Sequence, residues 1–442
     1  MKWTETNLSK VLEDYQNGTW GLPPKEDGYD LPVLRSTNIQ NATLVLDDVA
    51  FRSVPQKSAK RYKLLDGDIL VTTSSGSRDL IGKNALFHQP GDGQSYLFSN
   101  FTLRLRPRRD VINPRYLHLY LNSTKAKAEL LRLQNTTSGL RNLPIPLYLS
   151  QTVPLPPLSE QRRIVEILDQ ADALRKKRVE ADAKATRILP ALFYKMFGDP
   201  VINSRNFPTR KLGDLIEEPV FGLSKALSGK TVQEKGTIPI LRMANITPEG
   251  FLDFGDLRYE VIPKKSLNRY TVKRGDLLFN WRNSPKWIGK TAIFHSNGLF
   301  SYASFLYRLR VKQDQADNRY IWQLLNALVS YGWFTQKCRQ AVSQANFGRE
   351  ELANIDIPYP QLGRQQQFGK AYDQWVLQKD LKEKSSRSLD LLFQTLLHRA
   401  FIGDLTSKWR EAHMKELLVE MEEQAKALET TNHTKNTKEK NQ

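Results

Sequence analysis

The sequence predicts an α+β protein: two similar mixed α/β domains separated by two long antiparallel helices that form a coiled coil, related by an internal pseudo-twofold repeat. Two observations predict this fold. The second half of the 442-residue chain repeats the first at an offset of 204 to 208 residues. Each repeat also ends in a helix-like stretch of about 40 residues, with apolar side chains at alternating spacings of three and four.

The repeat keeps its order over some 130 residues. Chance similarity would not stay collinear over that length, and a period this long indicates two duplicated domains instead of a solenoid of short units. The matching segments are 32–35 with 239–242, 67–70 with 275–278, 81–83 with 288–290, 115–116 with 319–320, and 154–161 with 358–365.

A mixed domain opens each repeat, over residues 1–155 and 199–358. Short β-type runs such as 69–73 and 101–105 are separated by turns that contain Gly and Asp. We interpret the pairs Gly67-Asp68 and Gly275-Asp276 as turns, because Gly tolerates positive φ and Asp bonds to nearby backbone.

A long helix is predicted after each mixed domain, over 156–198 and 359–403. A proline-rich hinge at 154–157 precedes the first helix, with Ser159 as its N-cap and Glu160 and Gln161 in its first turn. Gly198 and Gly403 close the two helices. Pro190 is expected to bend the first one, because it lacks an N–H group and crowds the preceding turn.

The apolar seam of each helix requires a partner. In the first helix the seam runs through Ile164, Ile167, Ala171 and Leu174, and the second seam is apolar at its ends and polar in the middle. The other copy, packed antiparallel, is the simplest partner; ordinary core helices within compact domains are the alternative. Residues 404–442 are predicted to be helical and then, from Thr430, to form a disordered polar tail.

The charge balance points to a polyanionic partner. Lys and Arg number 66 against 47 Asp and Glu, which gives a net charge of +19. This charge favours nucleic acid as the partner, followed by an anionic membrane surface. The alternative is a generally basic surface without such a partner. Cys338 is the single cysteine, so no intrachain disulfide can form and a reducing compartment is expected. With no apolar signal core near the start and no run of about 20 apolar residues, we expect a cytoplasmic protein that does not enter membranes.

Motifs for catalysis are not found. An amino-methyltransferase needs Asn or Asp before Pro-Pro-aromatic, and neither double proline, 23–24 or 156–157, has these neighbours. Two near matches to a phosphate-binding loop, 224–231 and 284–291, have Ser where the first Gly is required. The six histidines are scattered, and one cysteine cannot build a Cys-type zinc site. We therefore predict no catalytic residue, no cofactor and no metal.

Binding residues are predicted in two polar loops that differ between the copies while their flanks match. One loop lies between the Gly-Asp strand and the Ile-Gly-Lys turn, and the other lies at 136–142 and 343–349. Such divergence is expected if one scaffold reads two base sequences, although loops that merely drift are an alternative. The predicted DNA-binding residues are Thr73, Ser74, Ser75, Ser77, Arg78, Lys83, Arg141, Arg282, Asn283, Lys286, Lys290 and Arg349.

The sequence resembles the specificity (S) subunits of type I restriction-modification systems over nearly its whole length. The segments that carry the resemblance are Ile145-Pro146, the string Pro-Leu-Pro-Pro-Leu-Ser-Glu-Gln at 154–161, and Ala-Phe-Ile-Gly-Asp-Leu at 400–405. In the second copy the string is degraded but keeps its order, from Pro358 to Gln365.

The resemblance implies that 1–155 and 199–358 are target-recognition domains, each reading one half of a split site in double-stranded DNA. The paired helices would fix the gap between the halves and dock two methyltransferase (M) subunits. S-adenosylmethionine would come with the M subunits, and ATP and Mg with restriction (R) subunits in the full complex, so this chain would be no enzyme.

Two other functions remain open from the residues alone. One is a self-contained DNA methyltransferase or nuclease fusion with unrecognised motifs, which would transfer methyl groups without partners. The other is a structural adaptor that binds only protein, which would lack DNA affinity at every salt concentration.

Overall fold

The computed structural model describes residues 3–24, 30–75, 80–135, 142–224, 230–341 and 344–439. The chain divides into two compact units, Met1–Lys177 with Arg387–Gln442, and Arg178–Ser386. Each unit contains one copy of the mixed domain together with parts of both long helices. These units therefore do not follow the predicted domain boundaries, which stay a prediction.

The first copy alternates short strands with short helices. Its strands are β1 (Thr4–Asn7), β2 (Leu12–Asn17), β3 (Asp30–Leu34), β4 (Ile39–Gln40), β5 (Thr43–Leu44), β6 (Ala50–Ser53), β7 (Ile69–Thr72), β8 (Asn84–Leu86), β9 (Leu97–Phe98), β10 (Thr102–Pro107) and β11 (Thr152–Leu155). Its helices are α1 (Gln56–Tyr62), α2 (Pro114–Leu121), α3 (Thr124–Asn135) and α4 (Ile145–Leu149). Two helices follow it, α5 (Leu158–Ala185) and α6 (Ile188–Phe197).

The second copy keeps the order of the main strands and helices, with some short elements differing. Its strands are β12 (Thr209–Lys211), β13 (Val220–Phe221), β14 (Ile238–Leu241), β15 (Arg258–Glu260), β16 (Leu277–Asn280), β17 (Arg282–Asn283), β18 (Thr291–Ile293), β19 (Ser301–Tyr302), β20 (Leu306–Leu309), β21 (Arg339–Ala341), β22 (Gln344–Asn346) and β23 (Asp356–Pro358). Its helices are α7 (Leu212–Leu215), α8 (Lys264–Tyr270), α9 (Asn318–Ser330), α10 (Trp333–Lys337) and α11 (Arg349–Ala353). The chain then continues through α12 (Leu362–Phe401), α13 (Ser407–Ala412) and α14 (Met414–Glu439).

The two largest sheets have the same topology in both copies. A four-stranded sheet runs β2-β10-β7-β8 in the first copy and β13-β20-β16-β18 in the second, and a three-stranded sheet runs β6-β3-β9 and β15-β14-β19. The register also repeats, since Leu105 lies opposite Ile69 and Leu309 lies opposite Leu277. The duplication seen in the sequence is therefore a duplication of the fold.

The two Gly-Asp pairs are turns, as interpreted from the sequence, and they also anchor an arginine. Gly275 has φ of 92°, and the buried Asp276 accepts a hydrogen bond from the Lys273 amide at 2.8 Å. Both carboxylate oxygens of Asp276 also accept from Arg310, the residue that follows β20, at 2.7 and 2.8 Å. These hydrogen bonds raise the pKa of Arg310. Asp68 and Arg106 form the same pair in the first copy.

Replacing Asp276 with Asn is expected to lower the free energy of unfolding of the second unit by about 2 kcal/mol. A fully buried ion pair costs about 3–5 kcal/mol to break, and the loss is smaller here because solvent reaches Arg310, whose side chain is 27% exposed. Urea denaturation measures the change. Asp356→Asn is the control, because its pair with Lys211 is exposed on both sides and contributes about 1 kcal/mol or less. Equal losses in the two variants would contradict the prediction.

The first long helix is broken where the sequence analysis expected only a bend. The single helix predicted over 156–198 is observed as α5 and α6, with a break at Thr186 and Arg187. Pro190 explains the break, because it has no N–H group to donate to the carbonyl of residue 186 and its ring crowds that turn. Gly198 follows α6 with φ of 74° and Gly403 follows α12 with φ of 88°, as expected for residues that end helices.

Within the first unit, α5 and α12 run antiparallel. Arg175 donates to Asp390 at 2.8 Å and its guanidinium lies 4.5 Å from the ring centroid of Phe393. Earlier in α5, Leu168 is buried in the same core as Leu397. Leu174, which was placed in the seam, is 57% exposed, so that assignment was wrong. Arg175 takes the inner position because its guanidinium can pair with Asp390 and cover Phe393 at once.

Within the second unit, the helices are also antiparallel. Ser386 donates to Asp182 at 2.9 Å, and the Trp375 indole donates to the Ala185 carbonyl at 3.1 Å. Beyond the break, Phe193 of α6 packs edge-on against Phe368 of α12, with ring centroids 5.5 Å apart. The contact partners thus move backward along α12 as the chain moves forward through α5 and α6. The antiparallel helix pairing predicted from the repeat is therefore present inside each unit.

A glutamine near the start of α5 joins this helix to the rest of the first unit. Gln161 is buried, accepts from the Asn113 amide at 2.7 Å and donates to the Pro156 carbonyl at 2.8 Å. Gln365 does the same in the second copy, with Asp317 and Pro360. This explains why both repeats carry glutamine at this position of the string.

The C-terminal segment packs on the same helix start. The Ser159 amide donates to the carboxylate of Glu420 in α14 at 2.9 Å. The N-cap role predicted for Ser159 was wrong, because α5 already begins at Leu158 and the buried Ser159 hydroxyl has no hydrogen-bond partner among the described residues. Gln424 of α14 donates to the Val111 carbonyl at 2.7 Å. The backbone of α14 is helical to residue 439, where composition predicted a disordered tail from 430, because adding residues to an existing helix costs little. Residues 440–442 lie outside the described chain.

Candidate nucleic-acid interface

The two polar loops of the second copy lie side by side. Arg282 and Asn283 form strand β17, which pairs with β22, so that Arg282 lies opposite Asn346. The adjoining Phe347 amide donates to the Trp281 carbonyl at 2.9 Å. These loops are separate in the sequence, and strand pairing brings them into one surface.

The first copy joins its loops at the matching backbone positions. The Leu143 amide donates to the Thr73 carbonyl at 2.7 Å, and Ser74 forms a bridge with Asn142. The Thr73 amide bonds to the Phe101 carbonyl, just as Trp281 bonds to Phe305. Of the predicted binding residues, Ser77, Arg78 and Arg141 lie outside the described residues. The described flanks nevertheless show that both copies use one scaffold to hold different polar side chains.

Aromatic rings support the basic side chains of this surface in the second copy. The guanidinium of Arg282 lies 5.2 Å from the ring centroid of Phe305, and that of Arg349 lies 5.2 Å from Phe221. Arg349 also pairs with Glu218 at 2.8 Å. Cation–π contacts and planar ion pairs hold a guanidinium in a defined orientation, which favours directional hydrogen bonds over loose charge attraction.

Two further predicted residues of the second copy have distinct environments. The exposed Lys286 places its ammonium 4.9 Å from the ring centroid of Trp287. Asn283 is half-buried and accepts from the Ser284 amide at 2.8 Å through its side-chain oxygen. Arg, Asn and Lys side chains are those that hydrogen-bond to base edges and phosphates, so this surface has suitable chemistry for DNA.

Matched lysines in the two copies differ in exposure. Lys83 is exposed in the first copy. Lys290 is only 7% exposed, donates to the Ile246 carbonyl at 2.7 Å, and has its pKa lowered by burial. The structure therefore favours a structural role for Lys290 over its predicted DNA contact, since its ammonium is already bonded inside the domain. Thr73 is 7% exposed and contributes through its backbone, while Ser74 and Ser75 are half-buried.

Sequence reasoning missed the residues that support this surface from other parts of the chain. Phe221 belongs to β13 and Glu218 precedes it, more than 60 positions before Arg282 in the sequence. Trp281 stacks on Tyr307 with ring centroids 5.4 Å apart and donates to the Ser304 carbonyl at 2.7 Å. The surplus of aromatic residues in the second copy was a possible signal, but only strand pairing identifies which rings meet which arginines.

Two negative findings concern the described part of the chain. Among its residues, no group of three or more His, Cys, Asp or Glu side chains is arranged to hold a metal ion. None of its helices combines the length and the apolar character that a membrane span requires.

Comparisons with known proteins address the family directly. The family model described as type I restriction modification DNA specificity domain matches residues 2–181 and 205–390. The EcoKI specificity subunit of Escherichia coli K12 is 27% identical over 411 residues, covering 87% of this chain and 84% of the relative. The StySPI specificity subunit of Salmonella potsdam is 25% identical over 406 residues, with the same coverage of 87% and 84%.

A solved structure supports the fold. One chain of a type I R-M system, from a study of its complex assembly and conformational transition, superimposes with a TM-score of 0.57 at 18% identity. The match covers 91% of this chain and 98% of that chain. The predicted fold class is thus confirmed, and the family model and the named relatives confirm the prediction of a type I specificity subunit. Two copies of one domain model account for most of the sequence, and the chain belongs to the type I restriction modification DNA specificity domain family.

Proposed function

We propose that each mixed domain reads one half of a bipartite site in double-stranded DNA through the surface where its two polar loops meet. The observation that carries the proposal is this convergence. In both copies the same backbone hydrogen bonds join the loops, while the side chains they hold differ. A shared scaffold with different donors and acceptors is what reading two different half-sites requires.

The experiment compares Arg282→Ala with Ser74→Ala, its positional counterpart in the first copy. Each variant is expressed with the methyltransferase subunit of its system, and methylated sites are mapped by sequencing. We expect Arg282→Ala to relax one half of the site and Ser74→Ala to relax only the other. A lost base contact costs about 1–3 kcal/mol, which corresponds to about 5- to 150-fold in affinity.

Lys264→Ala is the charge-matched control, because Lys264 is exposed on α8 and lies outside both the loop surface and the long helices. It removes one positive charge and is expected to leave both half-sites unchanged. If Arg282→Ala and Ser74→Ala altered the same half, or if neither altered any base preference, the proposal would be wrong.

We further propose that α5, α6 and α12 set the gap between the half-sites and dock two M subunits, with R subunits joining the full complex. The surfaces of these helices support the docking proposal, since apolar side chains remain exposed on them. Leu174, Leu391 and Leu392 are exposed in the first unit, and Val179, Leu377 and Leu381 in the second. Exposed apolar residues grouped on one element are typical of protein interfaces.

The proposal assigns no cofactor to this chain. S-adenosylmethionine would be bound by the M subunits, and ATP and Mg by the R subunits. The site of action would be the cytoplasm, where the DNA substrate is found and where a chain with one cysteine needs no disulfide.

A further inference from the structure

The second unit contains a cavity of about 490 Å³ with aromatic walls. It lies beside α6 and α9, and its rings include Tyr194, Phe251, Trp287, Trp322, Tyr331 and Trp375. Tyr194 and Tyr331 are 56% and 48% exposed, so these two rings are accessible from solvent. The cavity is thus open on one side and apolar within.

One buried amide in the wall lacks a partner. Gln323 lines the cavity and is 5% exposed, yet its side chain makes no hydrogen bond with any residue of the described chain. Its polar neighbours do have partners: Trp322 donates to the Gly250 carbonyl at 2.8 Å, and Asn326 donates to the Thr291 carbonyl at 2.9 Å. Neither amide atom of Gln323 is sealed from solvent, so the amide faces the open cavity and is available to a ligand that supplies both a donor and an acceptor.

The first copy shows that the duplicated fold does not require these residues. Its cavity at the equivalent place is lined by His118, Leu119 and Lys127. These positions correspond, 204 residues later, to Trp322, Gln323 and Tyr331. The aromatic walls and the Gln323 amide are therefore particular to the second copy, although Trp322, Phe251 and Trp375 also pack in the core of the second unit.

Their chemistry fits a nucleobase. Aromatic side chains stack on the flat face of a base, and a glutamine amide can pair with the N6 and N7 edge of adenine, accepting from one and donating to the other. Lys286 also lines the cavity, with its ammonium beside Trp287, and can pair with a phosphate. The carboxylate of Glu249 lines the same cavity and can accept from a sugar hydroxyl.

We propose that this cavity binds an adenine nucleoside or nucleotide, with the base stacked on the aromatic walls and its edge paired with Gln323. The ligand can come from two sources, a free nucleotide or an adenine of single-stranded DNA. The proposed site is separate from the surface that reads the half-site. Of the residues that line the cavity, only Lys286 also belongs to the loop surface.

The test titrates the purified full chain with adenosine, AMP and CMP, following tryptophan fluorescence and heat of binding. Adenosine and AMP are expected to bind saturably, AMP more tightly, and CMP about tenfold more weakly because its edge does not match the amide. Gln323→Leu introduces the first-copy residue and should weaken AMP binding about tenfold or more. Lys127→Tyr, which introduces the second-copy residue at an exposed position of the first unit, is the matched control and should leave AMP binding unchanged.

Folding is checked by thermal unfolding without ligand, where Gln323→Leu should be as stable as the parent, because an apolar side chain suits a buried site. Tyr331→Lys, which also introduces the first-copy residue, should weaken binding through lost stacking. A titration with oligo(dA) distinguishes the two sources of the ligand. If oligo(dA) binds and Gln323→Leu weakens that binding, while AMP does not bind, the cavity is a site for an adenine of single-stranded DNA. Absence of saturable binding by adenosine, AMP and oligo(dA), or equal affinities for the parent and Gln323→Leu, would overturn the proposal.

Discussion

Replacing Glu160 with Gln is expected to lower the free energy of unfolding of the first unit by about 3–5 kcal/mol, the usual cost of breaking a buried ion pair. Glu160 is fully buried at the start of α5. One carboxylate oxygen accepts from Thr406 at 2.6 Å and Arg410 at 2.8 Å, and the other accepts from the Trp3 indole at 2.9 Å. The residue thus ties the N-terminal strand region and the C-terminal segment to the first long helix.

The large loss of stability is expected because Glu160→Gln leaves a buried charge and opposed donors behind. Arg410 is 12% exposed, so its charge would stay buried without a carboxylate to compensate it. The amide of Gln is also a donor on one side and would face another donor, either Trp3 or Arg410. A buried charge without a partner and two opposed donors both destabilise the folded state.

Urea denaturation of the full chain, followed by tryptophan fluorescence, measures this loss. Glu166→Gln is the control, because the pair of Glu166 with Arg163 is exposed on both sides and contributes about 1 kcal/mol or less. A Glu160→Gln protein within about 1 kcal/mol of its parent would show that the buried pair does not hold the segment.

Inserting four alanines into each long helix is expected to lengthen the gap between the half-sites by one to two base pairs. The insertion points are after residue 177 in α5 and after residue 386 in α12. Contacts on either side remain intact, because Arg175 and Asp390 pair within one unit and Asp182 and Ser386 within the other. Four helical residues add about 6 Å, and DNA rises about 3.4 Å per base pair.

Methylated sites mapped in cells that also carry the methyltransferase subunit give the gap directly. Both half-sites should keep their base sequence, since no loop residue is changed. The same four alanines inserted after Gly91, whose surroundings are open, should leave both the gap and the half-sites unchanged. Altered half-sites with an unaltered gap would mean that these helices do not set the spacing.

Much of the candidate site could be predicted from the sequence, but not its assembly. The loops around Ser74 and Arg282 were identifiable because their flanks match between copies while they differ. That each loop pairs with a second loop about 60 residues later depends on strand register, which local sequence does not encode. Lys83 and Lys290 occupy equivalent positions, and only packing distinguishes the exposed side chain from the buried one.

The sequence by itself determined the duplication, the alternation of mixed domains with long helices, and the family, because collinear repeats and the Pro-Leu-Pro-Pro-Leu-Ser-Glu-Gln string are properties of residue order. Only the tertiary structure decided that Glu160 pairs with Arg410, which lies 250 positions away, that Arg175 replaces Leu174 at the helix interface, and that α6 separates from α5. The physical reason is that such choices depend on which side chains meet across packed elements. Burial and pairing energies there outweigh the local pattern.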